Sequence, residues 1–237
     1  MSAATPLFAG IYMEGKADRT SRAIEPARRA GWQIALRALD DVAPELADVT
    51  VSQGPGKRLE NLNGLVELAG GLPRFVVLCD DDVEFMRGDV VALVAECAAA
   101  GFGICQPAHA PGSEVSHPHT RVAPRSRSRE VPFVETGPIS VISPAWSERV
   151  LPLPAWRGMG WGLELEWSDL RAEGCRLGIV DRVTIRHLDP VGKTYDETVE
   201  RAQMAADLAA RGLTDLSASH VTLATWRPWR RTAPWRS

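Results

Sequence analysis

Residues 74–85, Arg74 to Phe85, read RFVVLCDDDVEF, and this stretch decides the fold. Phe75 to Leu78 is a short apolar run, β-branched and aromatic, of the kind buried on both faces of a parallel sheet, and the residues after the aspartates read as helix-like. Three successive aspartates, Asp80, Asp81 and Asp82, stand at its carboxyl end. In open α/β sheets that end of a strand is where ligands sit. Adjacent carboxylates repel one another, and a cation relieves the repulsion most directly. Side chains alternate along an extended segment, so Asp80 and Asp82 are expected on one side and Asp81 on the other. Two oxygens would then converge on a hard divalent ion, Mg²⁺ or Mn²⁺. The plainer alternative is a solvated loop in which Asp82 or a later residue acts as a turn or cap.

Working outward, Leu7 to Tyr12 reads as a strand. A helix is predicted from Glu25 to Leu39, with Pro26 in its first turn and Trp32, Leu36 and Leu39 on one face. Val49 to Ser52 forms a second strand and passes through a GPG turn into a helix near Leu62 to Leu68. Asp89 has the position of an N-cap for a helix over Val90 to Ala99 that Gly101 closes. This alternation predicts an α/β domain, a parallel sheet with covering helices. Residues 110–130, APGSEVSHPHTRVAPRSRSRE, lack periodicity and predict a long mobile loop, a candidate lid. Beyond it, VPFVETGPISVIS is strand-like, and Ser143-Pro144 opens a short helix ending before Pro152. GWGLELEWSDLRAEG is a glycine-rich approach to a helix that Gly174 ends, RLGIVDRVTIRHL is one or two strands, and a last helix spans Asp196 to Gly212. Without internal repeats, 237 residues fit one domain over 1–237.

The net charge of -3, with both signs mixed throughout, argues against a general nucleic-acid-binding field. The four cysteines, Cys79, Cys97, Cys105 and Cys175, form no CxxC pair and read as reduced structural thiols. The first residues lack a basic leader with an apolar core, and no run approaches the ~20 apolar residues that span a bilayer, so a cytoplasmic location is expected. The C-terminal stretch over 222–237 carries Trp226, Trp229 and Trp235 among arginines. Packing of these tryptophans on the domain is the favoured expectation. Contact with an anionic membrane surface or a second subunit is the alternative.

Three segments taken in order resemble the GT-A class of nucleotide-sugar-dependent glycosyltransferases, and family 2 in particular: CDDDV, GWGLELEW, and GIVDRVTIRHLDPVGKTY. The resemblance covers roughly residues 7–196 and implies a GT-A-like (Rossmann-like), mixed and mostly parallel sheet flanked by helices. GKRLENLN resembles the segment that precedes the DxD strand in inverting members, with one extra residue between Lys57 and Asn63. The resemblance implies transfer of a sugar from a nucleotide-diphosphate sugar, of uridine or guanosine type, to a hydroxyl of a glycan or small molecule, with inversion. It further implies a divalent metal on Asp80, Asp82 and a late histidine, His187. Asp80 and Asp81 would face the donor together with Lys57, Lys193 and Tyr12, the last as a stacking or edge contact for the base.

The chemistry agrees with these residue types. Charge grows on a departing nucleoside diphosphate, and a carboxylate-held cation stabilises it most in the transition state. Gly160 and Gly162 permit a tight backbone, and Trp161 offers a flat face to an acceptor sugar. A base for the acceptor hydroxyl is expected at Glu164 or Glu166, which lie about 200° apart on a helix, so that only one faces the site. Galactosyltransferase-like members carry a Glu-Asp pair here, whereas Leu165 follows Glu164 in this chain. Two rivals share parts of this set. A metal-dependent nucleotidyltransferase or nucleotide-sugar hydrolase needs no GWGLE segment, and a non-catalytic nucleotide-sugar-binding protein needs no base.

Overall fold

The computed structural model describes residues 4–190 and 197–227. Among the described residues ten strands form one sheet: β1 (Leu7–Tyr12), β2 (Gln33–Ala38), β3 (Thr50–Gln53), β4 (Val76–Cys79), β5 (Val83–Arg87), β6 (Ile104–His109), β7 (Ser128–Val131), β8 (Ile139–Ile142), β9 (Leu177–His187) and β10 (Ala224–Trp226). Their order is β10-β7-β9-β6-β8-β4-β1-β2-β3, with β5 paired to β9. Strands β3, β2, β1 and β4 are mutually parallel, β8 reverses direction beside β4, and β6 and β9 resume the original sense. The sheet is thus mixed and mostly parallel.

The helices are α1 (Ala17–Arg29), α2 (Arg58–Ala69), α3 (Val90–Ala100), α4 (Pro144–Val150), α5 (Leu163–Asp169) and α6 (Glu197–Ala210). Strand alternation divides the core into two layers. Phe8 and Tyr12 of β1 join Ile24, Leu93 and Cys97 from α1 and α3 on one face. Leu7, Ala9 and Ile11 join Leu59, Leu62 and Leu65 of α2 and Trp167 of α5 on the other. A smaller cluster of Phe133, Leu165, Leu208 and Leu216 seats α6.

The helix expected over Glu25 to Leu39 is a correction: α1 ends at Arg29, Gly31 turns the chain at φ +70, and residues 33–38 are strand. Its buried stripe is Ala17, Thr20, Ala23, Ile24 and Ala27, helical spacing carried by small residues whose weak hydrophobicity hides it. Asp89 caps α3 as expected, accepting from the Ala92 N–H at 2.8 Å, and Gly101 closes it in the left-handed conformation. Residues 128–130, expected in the long loop, belong to β7. Ser113 and Thr120 in that stretch are buried. In the C-terminal stretch Trp226 packs edge-on against Phe102, centroids 5.5 Å apart, with the Arg176 guanidinium 4.9 Å from its ring. Trp229 and Trp235 lie outside the described residues. No helix among the described residues is long and apolar enough to cross a membrane.

Candidate functional site

The three aspartates leave β4 at the carboxyl edge of the parallel strands, and each turns to a different element. Asp80 receives the Arg58 Nε–H on both oxygens, at 2.8 and 2.9 Å, from the first turn of α2. Asp81 accepts from the Met13 N–H at 2.8 Å and from Lys16 Nζ at 2.7 Å, both just beyond β1. Lys16 also meets Asp189 at 2.9 Å, tying the segment after β9 to the same corner. Asp82 Oδ2 lies 3.0 Å from His187 Nε2. That last contact follows from register: Val83 of β5 pairs with His187 of β9, so the residue before Val83 meets the imidazole. The repulsion expected of the run is therefore relieved by Arg58, Lys16 and His187, from three separate parts of the chain. Burial raises the Asp80 carboxyl, with Arg58 opposing, and raises Asp81, with Lys16 opposing. At His187 burial alone would lower the imidazole, but Asp82, then Asp80 and Glu135, raise it.

Arg58, which carried no signal of its own beside Lys57 in the sequence, is 5% exposed and also donates to the Thr136 carbonyl at 3.0 Å. Replacing Arg58 by Met is expected to lower stability at neutral pH by roughly 2–3 kcal/mol, because a mostly buried carboxylate loses its partner. Urea denaturation measures this, and a change below about 0.5 kcal/mol would show that Asp80 does not depend on Arg58.

The GWGLE segment joins this corner through close backbone approaches. Gly160 has φ +103, and a Cβ there would come 3.2 Å from Thr136 Oγ1 and 3.5 Å from Arg58 Nη1. One at Gly137 would come 3.1 Å from Asp80 Oδ2. Arg157, 5% exposed, organises the rest: it donates to Glu166 at 2.6 Å and to the Trp161 carbonyl at 3.1 Å, and pairs with Asp207 of α6. Gly162, the residue before α5, sits at φ +85, where a Cβ would come within 2.5 Å of both Arg157 Nη1 and Asp207 Oδ2. Gly162→Ala is expected to lose about 1–3 kcal/mol, from left-handed strain and displacement of that ion pair, as read by thermal unfolding. Unchanged stability would mean the loop relaxes freely.

Glu166 is thus committed to Arg157, whereas Glu164 is 8% exposed and faces inward. Burial pushes the Glu164 carboxyl up to about 7. Backbone N–H groups at the start of α5 oppose the rise, nearby Glu135 adds to it, and Arg157 lowers it. Trp161 carries the Arg201 guanidinium 5.2 Å from its ring centroid. Asn63 exchanges two 2.7 Å hydrogen bonds with the backbone of Leu153, bracing α2 against the segment before GWGLE.

Tyr12 departs from expectation. It is a fully buried core residue whose hydroxyl pairs with Thr50 Oγ1 at 2.9 Å and accepts from the Ala43 N–H, so its ring offers no face to a nucleotide base. Lys57 is exposed at the start of α2. Lys193 lies outside the described residues. As a cation site, the corner supplies Asp82, one of whose oxygens is buried with no hydrogen-bond partner among the described residues, and the adjacent His187. Asp80 is turned onto Arg58 instead, and among the described residues no three His, Cys, Asp or Glu side chains already converge as a ligand set. The donor chemistry at Asp82 and His187, an oxygen in want of a partner beside an imidazole nitrogen, nevertheless suits a divalent ion.

No family sequence profile matches the chain, and no characterised protein matches it in sequence. Its fold matches solved structures. GalNAc-T7 crystallised with UDP, GalNAc and Mn²⁺ superposes with a TM-score of 0.56 at 10% identity, over 79% of this chain and 43% of that one. S. aureus TarS 1-349 in complex with UDP-GlcNAc gives 0.53 at 11% identity, over 92% and 69%. The longer S. aureus TarS chain gives 0.51 at 9% identity, over 92% of this chain and 41% of its own. This chain spans under half of GalNAc-T7 and about two thirds of the shorter TarS chain. The fold shared with these structures is a GT-A-like, mixed and mostly parallel α/β sheet flanked by helices.

Proposed function

We propose that this chain is a metal-dependent glycosyltransferase that moves a sugar from a nucleotide-diphosphate sugar to a hydroxyl acceptor with inversion. The observation that carries the reading is the meeting of the Asp80–Asp82 turn, the His187 end of β9 and the GWGLE start of α5 at one edge of the sheet, joined through Arg58 and Thr136. The solved neighbours with UDP and UDP-GlcNAc support a uridine-type donor.

In this reading Asp82 and His187, with Asp80 beside them, would hold a divalent ion, and such an ion would supply positive charge to offset that of the departing diphosphate. Asp81 fixes the loop after β1 and so shapes the donor side through Lys16 and the Met13 N–H. Lys57 and Lys193 are the ammonium groups offered to the phosphates. Trp161, between Gly160 and Gly162, presents its ring to the acceptor. Glu164 takes the proton of the attacking hydroxyl at its carboxylate, and a value about 7 suits a base working near neutrality. Glu164 as the carboxylate that takes the proton there, with Glu166 paired to Arg157, fits direct displacement.

The test is release of nucleoside diphosphate from UDP-GlcNAc, UDP-GalNAc and GDP-mannose with Mn²⁺, with and without a mixture of glycan and small-molecule hydroxyl acceptors. Release that rises with acceptor is expected. Equal release in water alone would make the chain a nucleotide-sugar hydrolase, and tight nucleotide binding with no release would make it a binding protein.

A further inference from the structure

A buried polar chain crosses the space between the two halves of this site. Gln106 and His109 come from β6, Ser113 from the turn after it, and Glu135 from the connection between β7 and β8. Glu135 Oε2 lies 2.9 Å from His109 Nε2 and 3.4 Å from Gln106 Nε2, its Oε1 accepts the His117 N–H at 3.0 Å, and its own N–H donates to Gln106 Oε1 at 2.6 Å. His109 Nδ1 lies 2.8 Å from Ser113 Oγ, and that oxygen accepts the backbone N–H of His187 at 2.8 Å. His109 is fully buried, and Ser113 and Glu135 are buried beside it.

We infer that the Glu135–His109–Ser113 chain is a positioning element, which holds the Glu164 side of the site and the His187 end of β9 in fixed relation. The inference rests on the proposed function for what the two ends do, but not for the chain itself. An ionised Glu135 accepts from His109 Nε2–H. Ser113 Oγ, beside His109 Nδ1, accepts from the His187 N–H and has the Glu114 carbonyl 3.2 Å away as a second acceptor for its one proton. A continuous line of polar contacts therefore reaches from a buried carboxylate to the backbone of the residue facing Asp82. His109, His117 and Gln106 keep Glu135 below the ordinary carboxylate range despite burial. At the other end Thr136, the residue after Glu135, donates to the Gly160 carbonyl at 3.5 Å, so the chain begins against the GWGLE segment, where the Glu135 charge adds to the burial that raises the Glu164 carboxyl and Arg157 opposes it. Two carboxyls with opposed environments divide the roles: Glu135 stays charged and fixed, and Glu164 exchanges its proton.

The experiment uses the full chain and separates the two arms. The Glu164 titration midpoint is read from the difference in unfolding stability between each protein and its Glu164→Gln partner across pH 4 to 9. In Glu135→Gln that midpoint is expected to fall by at least about half a unit, because the negative neighbour is gone. Should Glu135→Gln not fold, Glu135→Asp, which retracts the charge by one methylene, is read for the same direction. Ser113→Ala is expected to leave the midpoint in place and to weaken Mn²⁺-dependent UDP binding three- to tenfold, a loss that a general packing role would not confine to binding. An unmoved midpoint in the Glu135 variants overturns the acceptor-side arm, and unchanged UDP·Mn²⁺ affinity in Ser113→Ala overturns the His187 arm. If the parent chain itself binds no UDP, the donor reading and with it the His187 arm fail, while the midpoint measurement still decides the acceptor-side arm.

Discussion

Replacing Glu164 by Gln is expected to slow sugar transfer by on the order of 10² to 10⁴ while donor binding persists, because the amide keeps size and hydrogen-bonding capacity but accepts no proton. The parent rate should rise with pH through about 7, where Glu164 loses its proton, and the variant should lack that rise. Stability should respond in the opposite sense. A carboxyl raised from 4.5 to about 7 favours the folded state below pH 4.5, and this contribution is lost as pH climbs to about 7. The loss amounts to ~3 kcal/mol for a shift of this size, and the variant should be free of it. Glu166→Gln, by contrast, leaves Arg157 paired with Asp207 and should change stability by under about 1 kcal/mol and the rate only a few-fold. The reverse pattern, with Glu166 essential and Glu164 dispensable, would move the base two residues along α5. Full activity in both variants would remove the segment from the chemistry.

Asp82→Asn is expected to weaken Mn²⁺-dependent nucleotide binding at least 100-fold, about 2.7 kcal/mol, with the apo protein changed by under about 1 kcal/mol. The carboxylate has one oxygen on His187 and one buried oxygen with no hydrogen-bond partner among the described residues. An amide can keep the first contact but brings no charge to a cation. Isothermal titration of UDP with and without Mn²⁺ reads the effect. A strongly destabilised apo variant with unchanged nucleotide affinity would make Asp82 a structural residue of the turn.

The parts legible in the sequence were those with local causes. The apolar run into the aspartates, the Asp89 cap, the Gly101 stop and the helix after GWG each depend on neighbours within a few residues, and each stands where expected. β6 was missed because Pro107 lies inside it. The proline is tolerated at an irregularity, where the pairing with β9 shifts between Pro107 and Ala108. β5 was missed because VEFMR comes after the aspartates with no turn signal of its own, and strand stands where helix was expected. At the site, the alternation argument set Asp81 apart from its neighbours but did not foresee that Asp80 and Asp82 would separate as well. Their partners, Arg58 and His187, lie 22 residues before and 105 residues after them in the chain, and only the sheet order brings them together. Glu135 and His109 gave no signal, since a buried carboxylate and its imidazole 26 residues away form no pattern along a strand or helix. Tyr12 shows the converse failure: its place at a strand end is right for a ligand contact, but its hydroxyl is used to tie β1 to Thr50 inside the core.

The central claim is that a nucleotide-diphosphate donor binds at the aspartate end of β4 with a divalent ion, and thermal unfolding with UDP and Mn²⁺ tests it most directly. UDP at ~100 times its dissociation constant should add roughly 2.7 kcal/mol of stability when Mn²⁺ is present. The gain should shrink sharply without the metal and vanish in Asp82→Asn. A protein whose unfolding is indifferent to UDP and Mn²⁺ together, or one that UDP stabilises equally in Asp82→Asn, would contradict the account.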